Sequence, residues 1–155
     1  MGFELTSPTE WEAMLRIAGA ALSGGVIGLN RQLAGKPAGL RTHMLVSVGA
    51  ALFAVIALMV SRGDPAASLG RVMQGVAAGI GFLGAGEIIH QIGAKPGAAL
   101  VYGLTSAASI WLTAAIGVTV ACGMWKLTAF ATAVSLLILA GAWRLERYLP
   151  HPGDL

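Results

Sequence analysis

Glu87 has the most unusual setting for chemistry in this sequence, because it is the one carboxylate in the apolar stretch from about Val72 to His90. An ionisable group held in apolar surroundings is costly, so it pairs with a partner, lines a wet cavity or serves a path. Arg31 and Arg41 are the cations that could pair with it, and Asn30, Thr42, His43, Thr105, Ser106 and Ser109 are polar groups placed at the ends of neighbouring apolar stretches. Four chemistries can be asked of these residues. A serine nucleophile with a histidine base could be drawn from Ser109 and His43, but nothing else in the sequence supports a hydrolase. His43 and His90 could hold a metal, yet neither has a second or third ligand at helical spacing, so polar packing is the better reading. Magnesium needs carboxylates with retained waters in octahedral geometry, and one Glu87 per chain is too few unless an oligomeric ring repeats it. Gly79-Ile80-Gly81-Phe82-Leu83-Gly84 matches the dinucleotide fingerprint in letters, but it has no preceding strand and no solvent access for a pyrophosphate. The expectation is a non-enzymatic protein without a cofactor or bound metal.

The elements that must position these groups follow from composition. Of 155 residues, 56% are hydrophobic and 11% charged, and the mean hydropathy is +0.77. Charges fall in short clusters between long uncharged runs, which makes the lipid bilayer the solvent and excludes a soluble core. The ten Lys and Arg residues are dispersed among the connections, so the positive balance reads as an orientation signal and excludes nucleic acid as a partner. The fold class is all-α: a polytopic transmembrane helical bundle of about five spans. Residues 1–149 form one transmembrane domain and 150–155 a short cytoplasmic tail.

Ser7-Pro8-Thr9-Glu10 predicts a helix start, with Ser7 as cap and Glu10 closing a capping box. Span one runs through about Leu29, and Arg16 must snorkel outward, where Glu12 is a candidate partner. No basic region precedes it, so it reads as a retained span and not a cleaved signal. Span two covers Thr42 to Ser61. Asp64-Pro65 launches span three, entering the membrane near Val72 and leaving near His90. Span four covers Leu104 to Gly123, with Pro96 to Gly103 as loop, and span five covers about Leu127 to Trp143. Trp11, Tyr102, Trp125, Trp143 and Tyr148 fall near span ends, where amphipathic rings favour the headgroup region.

Arg31, Lys36, Arg41, Lys95, Arg144 and Arg147 lie on one side of this topology; Arg16, Arg62, Arg71 and Lys126 lie on the other. The larger share marks the cytoplasmic side, placing the N-terminus out and the C-terminus in. On that side Glu87 is expected to pair with Arg31 or Arg41 within a polar cluster between spans one to four. Taken alone, Arg31 and Lys36 read as loop cations that set orientation. Gly24, Gly25 and Gly28 in span one, and Gly75, Gly79, Gly81, Gly84 and Gly86 in span three, read as helix-packing positions, since small residues let backbones approach closely. The single Cys122 lies in an apolar run and reads as a packing residue.

Three blocks of sequence carry a resemblance. Gly28-Leu29-Asn30-Arg31-Gln32 with Gly35-Lys36-Pro37-Ala38-Gly39-Leu40-Arg41-Thr42-His43-Met44-Leu45-Val46 is the first. Gly79 to Gly86 is the second, and Gly103-Leu104-Thr105-Ser106-Ala107-Ala108-Ser109-Ile110-Trp111, continuing to Gly117, is the third. Together they resemble the MgtC/SapB family from about Trp11 to Trp125. The resemblance implies a five-span bacterial inner-membrane protein tied to growth at low magnesium, acid stress and virulence, with restraint of the F-type ATP synthase known for one member. The resemblance implies Glu where Asn30 stands and often an apolar residue or Asn where Glu87 stands, so that a carboxylate would have moved across the same cluster. Position 109 also varies, with Asp among its alternatives to Ser. Many members continue into a soluble C-terminal domain, where this sequence has only its short tail. The implied function is a regulator that binds other membrane proteins, ATP synthase among them, and self-associates as a homo-oligomer. The rival is an oligomeric ion or small-solute transporter or channel.

Overall fold

The computed structural model describes residues 7–92 and 103–142. Among these residues all regular structure is helical: α1 Glu10–Leu33, α2 Leu40–Val60, α3 Pro65–Ile92, α4 Leu104–Ala121 and α5 Trp125–Leu137, the last continued by a π-helical turn Ile138–Ala142. The first four are long and apolar enough to cross a membrane; the apolar segment beginning at Trp125 is shorter. Pro96 to Tyr102, the basic residues Lys95, Arg144 and Arg147, the aromatics Trp143 and Tyr148, and the tail from Pro150 lie outside the described residues.

The sequence at each helix end explains where it stops, and in one case corrects the expectation. α1 begins two residues later than the Ser7 cap predicts. Thr9 is the N-cap: its hydroxyl accepts from the Glu12 amide at 3.3 Å, and the Glu12 carboxylate accepts from the Thr9 amide at 2.8 Å. The capping box is therefore Thr9 with Glu12, because Glu12, and not Glu10, occupies the third helical position where a side chain can reach back. At the start of α3, Asp64 accepts from the Ala66 amide at 2.9 Å and Pro65 takes the first helical position, as the sequence predicts. α4 ends at Ala121, and Gly123 at φ +73° lets the chain turn at once into α5.

α4 is the centre of the bundle and packs against all four other helices; α1 and α2 form the broadest single contact. Their approach is set by glycine. A Cβ at Gly24 would lie 2.5 Å from the His43 carbonyl oxygen and 2.8 Å from Ser47 Cβ, and one at Gly28 would lie 2.8 Å from Leu40 Cα. Gly24 and Gly28 are four apart, so they share one face of α1 and admit the α2 backbone along it. On the other side of α2, a Cβ at Gly117 of α4 would collide with the Ser47 carbonyl oxygen and lie 3.1 Å from Ser47 Cα. α2 is thus held between two glycine-lined faces, around a core that includes Ala50, Ala51, Ala54, Val55, Ala114 and Val118.

α3 differs. It touches α2 and α4 but is exposed over most of its surface. Of the five span-three glycines expected to pack, only Gly84 meets a neighbour, Ala107, whose Cβ would be 3.3 Å away; Gly75, Gly79, Gly81 and Gly86 face open space. Their small size does not serve a contact within the described chain.

Candidate functional site

The candidate site is a buried polar seam where the C-terminal end of α1, the N-terminal end of α2 and the N-terminal end of α4 meet. Arg31 sits in the last turn of α1 and is only 3% exposed. Its Nη2 donates to Ser106 Oγ at 2.6 Å, tying α1 to the first turn of α4 across 75 residues of sequence. The expectation that Arg31 is a loop cation is therefore corrected. The helix runs to Leu33 instead of stopping near Leu29, and that extra turn carries Arg31 into the bundle, where Ser106 supplies an acceptor. Lys36, in the connection after α1, is exposed as expected.

One turn deeper, His43 is fully buried. Its Nδ1 lies 2.9 Å from the Gly39 carbonyl oxygen, which can only accept, so Nδ1 carries the proton. Nε2 lies 3.1 Å from Ser109 Oγ on α4, and the single proton of that hydroxyl is shared between Nε2 and the Ser106 carbonyl oxygen, 2.8 Å away. The seam continues inward through Thr113, whose hydroxyl donates to the Ser109 carbonyl at 2.7 Å. Small hydroxyl side chains at positions 106, 109 and 113 fall on one face of α4, three and four apart, which is why a single helix can present all three to α1 and α2. Ser47 Oγ and Arg31 Nε are buried in the same region and have no hydrogen-bond partner among the described residues.

Nine residues were expected to form one polar cluster. The structure brings four of them, Arg31, His43, Ser106 and Ser109, into this seam. The Glu87 carboxylate, partly buried on α3, is near enough for its charge to act on Arg31. Arg41 and Thr42 are exposed in the first turn of α2, on the outside of the bundle, and Thr105 is exposed beside Ser106. Asn30 is half-buried, and its carbonyl oxygen accepts from the Ala34 amide at the end of α1. The side chain of His90 lies outside the described residues. Among the described residues no group of three or more His, Cys, Asp or Glu side chains is placed to hold a metal. Ser109 and His43 have the separation of a nucleophile and base, but both are buried side chains at the packed interface of α2 with α4. A small apolar cavity of about 110 Å³ lies behind Ser109, walled by Ile27, Leu112, Ser135 and Leu139 among others.

The opposite end of the bundle carries a second polar tie. Arg16 is near enough for its charge to act on Glu12, the partner the sequence suggested, but its hydrogen bond goes elsewhere: its Nη1 donates to the Ala121 carbonyl at 2.7 Å, satisfying a free acceptor at the C-terminus of α4. Glu12 is already engaged by Thr9. Cys122, next to Ala121, is buried as a packing residue.

Residues 17–148 match the MgtC family. The chain is similar to SrpB of Synechococcus elongatus, with 47% identity over 138 residues, covering 85% of this chain and 75% of that protein. It is 38% identical over 133 residues to YhiD of Escherichia coli K12, whose name proposes a magnesium transporter, covering 83% of this chain and 59% of YhiD. It is 44% identical over 124 residues to MgtC of Brucella abortus, covering 80% of this chain and 48% of that protein. The chain thus spans about three fifths of YhiD and just under half of MgtC. No solved structure matches it.

Proposed function

The chain belongs to the MgtC family, and from that premise we propose that it is a non-enzymatic inner-membrane regulator linked to magnesium homeostasis, acting by contact with other membrane proteins, F-type ATP synthase among them. The observation that carries this reading is the contrast between a closed seam and an open helix. The polar side chains that could do chemistry, Arg31, His43, Ser106 and Ser109, bond to one another and to backbone between packed helices. A nucleophile used this way is holding helices in register, and the separation of Ser109 from His43 reads as packing. α3, by contrast, turns Met73, Phe82 and four glycines outward, and a glycine-rich lipid-facing helix suits close approach by another helix. Homo-oligomers built through the same face belong to this reading. The basic residues favour the Arg31 end as cytoplasmic, with the N-terminus out.

A second reading, an oligomeric transporter, is favoured by the name of YhiD and by Glu87, which a ring of copies would repeat near its axis. ATP-driven proton pumping in inverted bacterial membrane vesicles separates the two, with and without this protein and with a passive-leak control. Reduced pumping without added leak supports the regulator. Unchanged pumping removes ATP synthase as partner, and increased leak favours the transporter.

A further inference from the structure

An apolar groove of about 630 Å³ runs between the outer faces of α2 and α3. Leu45, Gly49 and Phe53 form one wall and Val72, Gly79 and Leu83 the other. Leu45, Phe53 and Leu83 are largely exposed, so the groove opens sideways, toward lipid in a membrane-spanning bundle. Its length is informative. At ~1.5 Å per residue, Leu45 to Phe53 covers about 12 Å of α2 and Val72 to Leu83 about 16 Å of α3, so the groove is about as long as one leaflet of a ~30 Å hydrocarbon core is thick. That is the reach of one acyl chain from one leaflet.

The groove also has a charged head. Arg41, Leu45, Gly49 and Phe53 are spaced four apart and share a stripe of α2, so Arg41 stands one turn above the apolar wall, exposed, in the first turn of the helix. Lys36 is exposed in the connection just before it. Glu87 stands one turn beyond Leu83 on α3, and its charge acts on the buried Arg31. Among the described residues this end therefore has three cations, Arg31, Lys36 and Arg41, against one carboxylate. An apolar trough one leaflet long under a guanidinium has the chemistry of a phospholipid site: chain in the groove, phosphate on the arginine.

We propose that the α2–α3 groove binds one acyl chain of an anionic phospholipid whose phosphate is held by Arg41. The proposal does not rest on the regulator reading, since a lipid could occupy the groove in a regulator or a transporter alike; it takes Gly75 and Gly79 for the lipid and leaves Gly81, Phe82 and Gly86 for a partner. It also gives Gly49 and Gly79, which have open space beside them, a purpose: larger side chains there would fill the trough.

The test is native mass spectrometry of the purified full chain in detergent, titrated with phosphatidylglycerol, phosphatidylcholine of the same chains, or inorganic phosphate. Variants are Arg41→Gln, Gly79→Leu and, on the opposite wall, Gly49→Leu, each checked for helical content by circular dichroism. The expected result is one phosphatidylglycerol per chain and weaker retention of phosphatidylcholine. Arg41→Gln should weaken the phosphatidylglycerol complex about fivefold, the weight of one basic residue at an anionic headgroup. Either helical glycine variant should abolish it, and the second serves where the first does not fold. Equal retention of both lipids, an unaffected Arg41→Gln, or undiminished binding when the groove is filled would each overturn the proposal. Binding of inorganic phosphate alone, or a second copy of the chain in place of the lipid, would also overturn it.

Discussion

Gly117→Ala is a small change with a large predicted consequence, because it adds one methyl group where α4 meets the backbone of α2. The added Cβ collides with the Ser47 carbonyl oxygen and lies 3.0 Å from the carbonyl carbon and 3.1 Å from Cα. All three near atoms are main chain, so no side-chain rotation relieves the overlap and α2 has to move as a body. Moving α2 also stretches the 3.1 Å contact between His43 and Ser109. Alanine in a helix interior gains about 1 kcal/mol over glycine. Overpacking costs about 1–3 kcal/mol, and the upper part of that range applies where backbone is the obstacle. The net expectation is a loss of about 1–2 kcal/mol, a 5- to 30-fold fall in the ratio of folded to unfolded chains. Gly81→Ala and Gly86→Ala are the internal controls, since a Cβ at either meets nothing within 4 Å. They should keep the propensity gain and be neutral or slightly stabilising. Unfolding in mixed micelles, followed by circular dichroism as denaturing detergent is raised, reads all three. A Gly117→Ala protein as stable as its parent, or Gly81→Ala falling by as much as Gly117→Ala, would refute the packing argument.

The same unfolding assay tests the seam: Ser106→Ala removes the hydroxyl bonded to buried Arg31 and should cost about 1–3 kcal/mol, whereas Thr42→Ala, on an exposed position expected from sequence to share the site, should fall within about 0.5 kcal/mol of the parent. Arg16→Met keeps the stem and removes the donor to the Ala121 carbonyl; about 1 kcal/mol of stability should go with it, and a variant that unfolds like the parent would mean the bond is not formed in the membrane. Cys122, buried at the end of α4, should resist maleimide in intact membranes at neutral pH and react once the protein is denatured; rapid labelling of the native protein would contradict the packing at the α4–α5 turn.

Much of the fold can be read from residue order because the bilayer restricts what an apolar run can become. The span around Thr42 to Ser61, the Asp64-Pro65 start and the glycine pair on α1 each carry a local signal, and each appears in the structure near its expected place. What failed to show depends on partners distant in sequence. Arg31 looks like a loop cation until Ser106, 75 residues away, gives it a buried acceptor. Arg16 looks paired with Glu12 alone until Ala121 offers a carbonyl. Gly117, by contrast, stands in a repeat of small residues four apart, Ser109, Thr113, Gly117 and Ala121, which is the signal that singles it out, and it makes the tightest backbone approach. The glycines of α3 carry the strongest pattern and pack least, since pattern reports a surface suited to close approach without saying whether the partner lies in the same chain. His43 and Ser109 do meet, but their types alone do not distinguish a catalytic pair from a hydrogen bond that holds two helices together.

The central claim is that this protein regulates by contact and does not conduct. Magnesium flux into proteoliposomes containing the purified chain and a trapped magnesium-sensitive dye tests it most directly. Uptake should be no faster than in protein-free liposomes at every protein density, with an ionophore confirming that the dye responds. Saturable uptake that rises with protein density and falls in Glu87→Gln would contradict it and make the chain a transporter.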